Sequence, residues 1–308
     1  MTVRVGLVGL GKIAHDQHLP VIAASPAFAL TATASPHARL DGVPGYATIE
    51  AMLAGGEGID AVALCQPPQA RFEAAYAALQ AGKHVLLEKP PGATLSEVAA
   101  LTELAQTRGL TLFASWHSRF APGVQAARRW LLGRRVLRVQ IDWKEDVRRW
   151  HPGQVWIWRP GGLGVFDPGI NALSIVTAIL PEPFFLKAAT LAFPENRDAP
   201  IAADLVFGDV RGAKVTAAFD WRQTGPQTWD IRVETDEGLL HLSKGGAELT
   251  LDGAAQDLPA EGEYRALYAR FAALIAEGRS EVDVAPLRHV ADAFMLGERR
   301  VVKPFEDA

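Results

Sequence analysis

Short apolar runs and longer amphipathic ones alternate along the first third of the chain. "VRVGLVGL" is an apolar stretch of strand length, and the glycines after it lead through "GKIAHDQHLPVIA" into helical spacing. "FALTATAS", "IDAVALCQPP" and "HVLLEKPPGATL" repeat the theme, each ending in proline, glycine or polar residues. Between the last two, Phe72, Ala75, Tyr76 and Leu79 of "QARFEAAYAALQAGK" fall at helical spacing and predict one buried stripe. Strands alternating with helices predict a parallel sheet covered on both faces.

The texture changes near residues 117 to 123, around "WHSRFAPG", and all eight tryptophans lie at or beyond Trp116. "VLRVQIDW" (136–143) alternates Val136, Leu137, Val139, Ile141 and Trp143 with Arg138, Gln140 and Asp142, as a strand with one buried face does. "PIAADLVF", "AKVTAAFDW", "TWDIRVET", "GLLHLS" and "AELTLDG" add at least five more strands with short turns. A mostly antiparallel sheet backed by helices follows. The stripe Tyr264, Leu267, Tyr268, Phe271, Leu274 and Ile275 predicts a helix over 263–278 whose apolar face is plain core. The expected class is α/β. A Rossmann dinucleotide-binding domain spans 1–119. An α+β domain with a large open, mostly antiparallel sheet spans 120–308, its C-terminal helix free to pack back on the first domain.

A chain of 308 residues is longer than one hydrophobic core usually serves, which agrees with two domains. With 49% hydrophobic and 21% charged residues it reads as an ordinary globular protein. A net charge of -4 leaves no basic surplus for a nucleic-acid partner. The single cysteine, Cys65, excludes a disulfide framework and a thiolate metal site. No His/Cys/Asp set stands at ligand spacing, so no catalytic metal is expected. Neither a signal peptide nor a membrane-spanning run is read, and the cytoplasm is the expected compartment.

Chemistry enters with the first turn. Gly9, Gly11 and Ala14 fit G-x-G-x-x-A between a strand and a helix, the arrangement that brings backbone close to a pyrophosphate at a helix N-terminus. Ligands of such sheets lie off the C-terminal strand ends. The expected cofactor contacts are therefore Gly9, Gly11, Lys12 and Ile13; Ser35 and His37; Cys65, Gln66 and Pro67; Glu88 and Lys89; and Trp116. The second strand ends at Ser35 where an acid would hold the ribose of NAD, and Ser35, His37 or Arg39 are candidates for the extra phosphate of NADP. Pro36 offers no donor, so dual use of NAD and NADP is the reading. "GVFDPGIN" (164–171) carries two alternatives. Asp167 before Pro168 fits a helix cap, whereas Asp167 and Asn171, four residues apart, share one helical face and form a polar patch that needs a partner.

"GLGKIA", "EKPPGATL" (88–95) and "GGLGVFDPGIN" (161–171), in that order, resemble the glucose–fructose oxidoreductase and inositol dehydrogenase family over nearly the whole chain. "DQHLP" (16–20), "WHSRF" (116–120) and "WKEDVRRWHPGQVWIW" (143–158) are similar to its bacterial members that oxidise L-arabinose or D-galactose at the anomeric carbon. The resemblance implies an aldose substrate, L-arabinose favoured and D-galactose and D-fucose also taken, with an aldonolactone as product and a homodimer through the open sheet face. It also implies catalytic roles for Lys89, Asp167 and Asn171. The family typically has histidine at the position of Asn171, and asparagine does not titrate. The proton therefore falls to Lys89 or Asp167, with Asn171 orienting the sugar. Indole faces suit a pyranose and carboxylates its hydroxyls. Glu145, Trp150 and His151 are the first sugar contacts, with His117 and Trp229 behind them. Two rivals stand beside this. One is a dinucleotide-binding regulator without turnover, against which Lys89 and Asp167 both speak. The other is a dehydrogenase of another polyol or of a sugar phosphate, which Arg148 and Arg149 leave open and Glu145 disfavours.

Overall fold

The computed structural model describes residues 2–55, 58–260 and 262–306. The chain divides into two units, Met1–His117 with Tyr264–Val284, and Ser118–Glu263 with Ala285–Ala308.

The first unit contains β1 (Val3–Val8), α1 (Leu19–Ala24), β2 (Phe28–Ala34), β3 (Gly45–Tyr46), α2 (Ile49–Gly55), β4 (Ala61–Leu64), α3 (Arg71–Gln80), β5 (His84–Glu88), α4 (Leu95–Thr107) and β6 (Leu112–Ser115). Its six strands run parallel in the order β3-β2-β1-β4-β5-β6. The order reverses between β1 and β4, the switch point of a dinucleotide-binding sheet. Ala61–Leu64 and Val85–Leu87 are wholly buried, because helices cover both faces and leave no polar side to alternate with. A capping box of Thr94 and Glu97 starts α4.

The stripe of α3 differs from the one its spacing predicted. Arg71, Ala74, Ala75, Ala78 and Leu79 are buried, while Tyr76 is 43% exposed. The small alanines let the helix lie close on the sheet, and Phe72 and Tyr76 stack at its rim with ring centroids 6.0 Å apart. The segment Tyr264–Val284, which holds all but the first residue of the late helix α8 (Glu263–Glu277), also belongs to this unit. Its Phe271 stacks on Phe28 and on Phe113, each at 6.0 Å.

The second unit contains α5 (Val124–Leu131), β7 (Val136–Lys144), α6 (Val147–Trp150), α7 (Phe166–Ile179), β8 (Phe184–Pro194), β9 (Ala202–Asp209), β10 (Lys214–Asp220), β11 (Thr228–Thr235), β12 (Gly238–Ser243), β13 (Glu248–Leu251), β14 (Ala254–Ala255), α9 (Ala285–Leu296) and β15 (Glu298–Val302). Nine strands form one sheet in the order β14-β13-β12-β11-β7-β10-β9-β8-β15. Only the β7–β10 and β8–β15 pairs are parallel. Strands β8 and β15 gave no sequence signal. A register shift between Leu186 and Ala188 breaks the alternation of β8, and β15 is an exposed edge without a buried face. Among the described residues no helix is long and apolar enough to cross a membrane.

Helix α7 lies buried along nearly its whole length, and Asp167 is 3% exposed within its first turn. The capping reading of Asp167 is thereby corrected. Val165 occupies the N-cap position, no side chain caps the helix, and the turn is made instead by Leu163 (φ 70°) and Gly164 (φ 55°). The next amide, of Val165, donates to the Pro200 carbonyl at 2.7 Å. A Cβ on Gly164 would stand 2.3 Å from that same carbonyl oxygen. Gly164→Ala therefore combines left-handed strain with a backbone overlap and costs about 2–4 kcal/mol. The expected result is a lower urea midpoint with an unchanged m-value, and an unchanged midpoint contradicts this packing.

Candidate active site

In the first unit the glycine turn follows β1. Gly9 takes φ 92°, and a Cβ there would lie 3.0 Å from the Gln66 amide nitrogen, so the turn passes tightly against the end of β4. A Cβ on Gly11 would meet nothing within 4 Å, which leaves the backbone open beside the helix start. That open backbone, and a buried Gln66 Oε1 with no partner among the described residues, fit a dinucleotide pyrophosphate and its ribose. Lys12 pairs with Asp16 one helical turn on, and Ile13 is half-buried. Ser35 is buried and its carbonyl accepts from Arg39 Nη1 at 2.6 Å; His37 is exposed beside it. Cys65 is buried at the end of β4 and Pro67 is exposed.

Glu88 ends β5 at 3% exposure. Its Oε1 accepts from His18 Nε2 at 3.0 Å and from the Tyr264 hydroxyl at 2.7 Å, and its Oε2 accepts from the Lys89 amide at 2.8 Å. His18 is wholly buried, and its Nδ1 lies 2.8 Å from the Tyr268 hydroxyl. Burial alone would raise the Glu88 pKa. The hydrogen bond and charge of His18, with His117 and the Tyr264 hydroxyl, outweigh burial and hold the carboxyl at about 2. Burial alone would lower the His18 pKa, and the negative potential of Cys65, Tyr268 and Glu88 holds it well above its ordinary value. Burial pushes the Tyr268 hydroxyl up to about 12. The stripe of α8 is thus more than core, since it supplies two hydroxyls to this network. The carboxylate of Glu88, expected among the cofactor contacts, is engaged by His18, Tyr264 and the Lys89 amide. Arg71, unnoticed in the sequence, is 2% exposed and donates to the carbonyls of Gln66, Glu88 and Pro90. The Lys89–Pro90 peptide is cis. Trp116 is buried with its indole N–H on the Asp283 carbonyl, and His117 belongs to this unit, its ring stacked 5.3 Å from Tyr264.

In the second unit, β7 delivers Glu145 at 4% exposure. The alternative in which Glu145 merely pairs with Arg148 or Arg149 fails, because Arg148 is paired with Asp146 at 2.9 and 3.1 Å. Glu145 Oε2 accepts from Trp229 Nε1 at 2.9 Å and Oε1 from Trp221 Nε1 at 3.4 Å. His151 stands between two carboxylates, its Nε2 3.6 Å from Glu145 Oε1 and its Nδ1 3.8 Å from Asp167 Oδ2. Trp150 packs 5.3 Å from Trp229, and its buried Nε1 finds no acceptor among the described residues. Asn171 is half-buried one turn beyond Asp167. Glu145, Trp150, His151, Asp167 and Trp229 are therefore brought together. Trp221 was missed as a site residue because it ends an apolar strand and reads as core.

The profile described as "Oxidoreductase family, NAD-binding Rossmann fold" matches residues 3–115. Galactose 1-dehydrogenase of Pseudomonas fluorescens is 49% identical over 305 residues, covering 99% of both chains. The crystal structure of a D-galactose-1-dehydrogenase protein from Rhizobium etli superposes with a TM-score of 0.95 at 61% identity, covering 99% of this chain and 98% of that one. A 3-ketoreductase from Actinomadura kijaniata, solved with NADP, shares the fold at a TM-score of 0.84 and 20% identity, covering 98% of this chain and 100% of that one. The chain belongs to the glucose–fructose oxidoreductase and inositol dehydrogenase family of oxidoreductases, and its first unit is a Rossmann NAD(P)-binding domain.

The depressed Glu88 pKa makes stability pH-dependent. Its contribution is fully present above the unfolded value of 4.5 and is lost as pH falls toward about 2. The unfolding midpoint is expected to drop between pH 5 and pH 2 and to drop less in Glu88→Gln. Equal pH dependence in the two proteins contradicts the paired carboxylate.

Proposed function

We propose that this protein oxidises a cyclic aldose at its anomeric carbon to the aldonolactone, taking D-galactose, L-arabinose and D-fucose and reducing either NAD or NADP. The observation that carries the reading is the second unit's cluster, in which a buried carboxylate is fixed by two indole N–H groups beside His151, Asp167 and an unpartnered indole donor. Such convergence of polar groups on aromatic faces suits the hydroxyls and C–H faces of a pyranose. The names of the relatives similar over the full chain support D-galactose. L-Arabinopyranose has the same ring stereochemistry and lacks only the exocyclic hydroxymethyl group, so room at that carbon sets the preference.

A bound nicotinamide would supply the hydride acceptor for the anomeric carbon. The chain's residues do the rest. Glu145, anchored through both oxygens, keeps lone pairs for sugar hydroxyls, and Trp150 Nε1 and His151 donate to sugar oxygens. Asn171 orients the ring. Lys89 and Asp167 are the two candidates to take the proton of the anomeric hydroxyl. With a neutral amine Lys89 takes the proton; with an ammonium Asp167 takes it and Lys89 stabilises the developing charge. An unphosphorylated sugar is favoured because the Arg148 guanidinium is already held by Asp146 and that of Arg149 lies 5.0 Å over the Trp150 ring. The protein is read as a cytoplasmic homodimer that meets its copy through the outer sheet face, where Phe185, Val206 and Leu239 are 49%, 37% and 58% exposed.

The test mixes purified protein with D-galactose, L-arabinose, D-xylose and D-glucose, each with NAD and with NADP. Reduced nicotinamide is expected with the first two sugars, and none with any sugar sinks the reading. Lys89→Ala and Asp167→Asn should each lower kcat about 10²- to 10⁴-fold, and losses below about tenfold in both refute their roles.

A further inference from the structure

Two charged side chains lie buried in the first unit and converge on one short piece of backbone. Glu88 Oε2 accepts from the Lys89 amide at 2.8 Å, and Arg71 Nη1 donates to the carbonyls of Glu88 and Pro90 on either side of it. Arg71 Nη2 reaches the carbonyl of Gln66, so the ends of β4 and β5 are tied by a single guanidinium. Glu88 is anchored in turn by His18 and Tyr264, and His18 by Tyr268. His18 closes the π-helical turn Ala14–His18, in the helix that follows the glycine turn. Apolar residues of the same volume would hold these elements with no desolvation penalty. What a buried ionic clamp supplies instead is direction, because its hydrogen bonds hold the peptide groups flanking Lys89 in one orientation.

We propose that Glu88 and Arg71 are positioning residues that fix the backbone of Lys89 for proton transfer, and that His18 with Tyr268 ties this clamp to the helix after the glycine turn. The proposal rests on the catalytic reading of Lys89 above. Neither side chain acts on substrate. Both work through the lysine they hold, and displacement of a reacting group by about 1 Å costs on the order of a hundredfold in rate.

The test is a double-mutant cycle on the full-length protein with Glu88→Gln, Lys89→Ala and the pair, measuring kcat and KM for D-galactose, the dissociation constant of NADP from protein fluorescence, and amide exchange at residue 89. Glu88→Gln keeps shape and loses charge. It should lower kcat about 10- to 100-fold while KM and the NADP dissociation constant stay within about threefold. Added to Lys89→Ala it should lower kcat by less than about twofold further, since a residue acting through the lysine has nothing left to position. Exchange of the Lys89 amide should speed up in Glu88→Gln. Tyr264→Phe, which removes one hydrogen bond and no charge, should lower kcat about 3- to 10-fold and serves if Glu88→Gln does not fold. Independent, multiplying losses in the pair overturn the proposal, as does an unaltered kcat or unaltered amide exchange in Glu88→Gln. Full activity in Lys89→Ala overturns the catalytic reading itself and the clamp with it. Loss in Lys89→Ala with none in Glu88→Gln or Tyr264→Phe overturns the clamp alone.

Discussion

A carboxylate at the end of a parallel strand, closed off from water, persists there only if donors converge on it. Glu88 is such a group, and much of the first unit is arranged around it. The imidazole of His18 comes from the helix after the glycine turn, and the hydroxyl of Tyr264 comes from a helix far along the sequence. The second oxygen turns back to the amide of the next residue, Lys89. This requirement gives a physical reason for residues Tyr264–Val284 to belong with the Rossmann sheet and not with the segments that flank them in sequence.

The second unit solves a similar problem with different donors. Glu145 is buried at the end of β7, where two indole N–H groups fix it. Indoles donate without carrying charge, and each carboxyl oxygen of Glu145 accepts from one of them. In the first unit the carboxylate is saturated by its neighbours and serves structure. In the second it accepts from two indoles alone among the hydrogen bonds described, an arrangement that suits the proposed contact with sugar hydroxyls. His151 is placed between Glu145 and Asp167, its ring nitrogens 3.6 and 3.8 Å from the two carboxyl groups.

Much of this was legible in the chain. Continuous apolar strands, the Gly9–Gly11 turn and the change to alternating strands after residue 120 identify the Rossmann sheet of the first unit and the open sheet of the second. Glu145, Trp150, His151, Asp167 and Trp229, named through motif resemblance more than through spacing, lie next to one another in the fold. What stayed hidden depended on partners distant in sequence. Arg71 is in phase with Ala74, Ala75, Ala78 and Leu79, and His18 with Ala14 and Ile22, so each announced a buried polar group on an apolar stripe. Helical phase shows that such a residue is buried but not which carbonyl or carboxylate it meets. The capping alternative for Asp167 fails for a related reason. The turn before α7 is set by Pro200, more than thirty residues away, and no local preference reports it.

The central claim is that the hydrogen on the anomeric carbon leaves as hydride. It is tested most directly with D-galactose carrying deuterium at that carbon. Deuterium should appear on the reduced nicotinamide, with a lactone as the sugar product and a primary isotope effect on the single-turnover rate. Reduced nicotinamide free of deuterium, with the label still on the sugar, would contradict oxidation at the anomeric carbon.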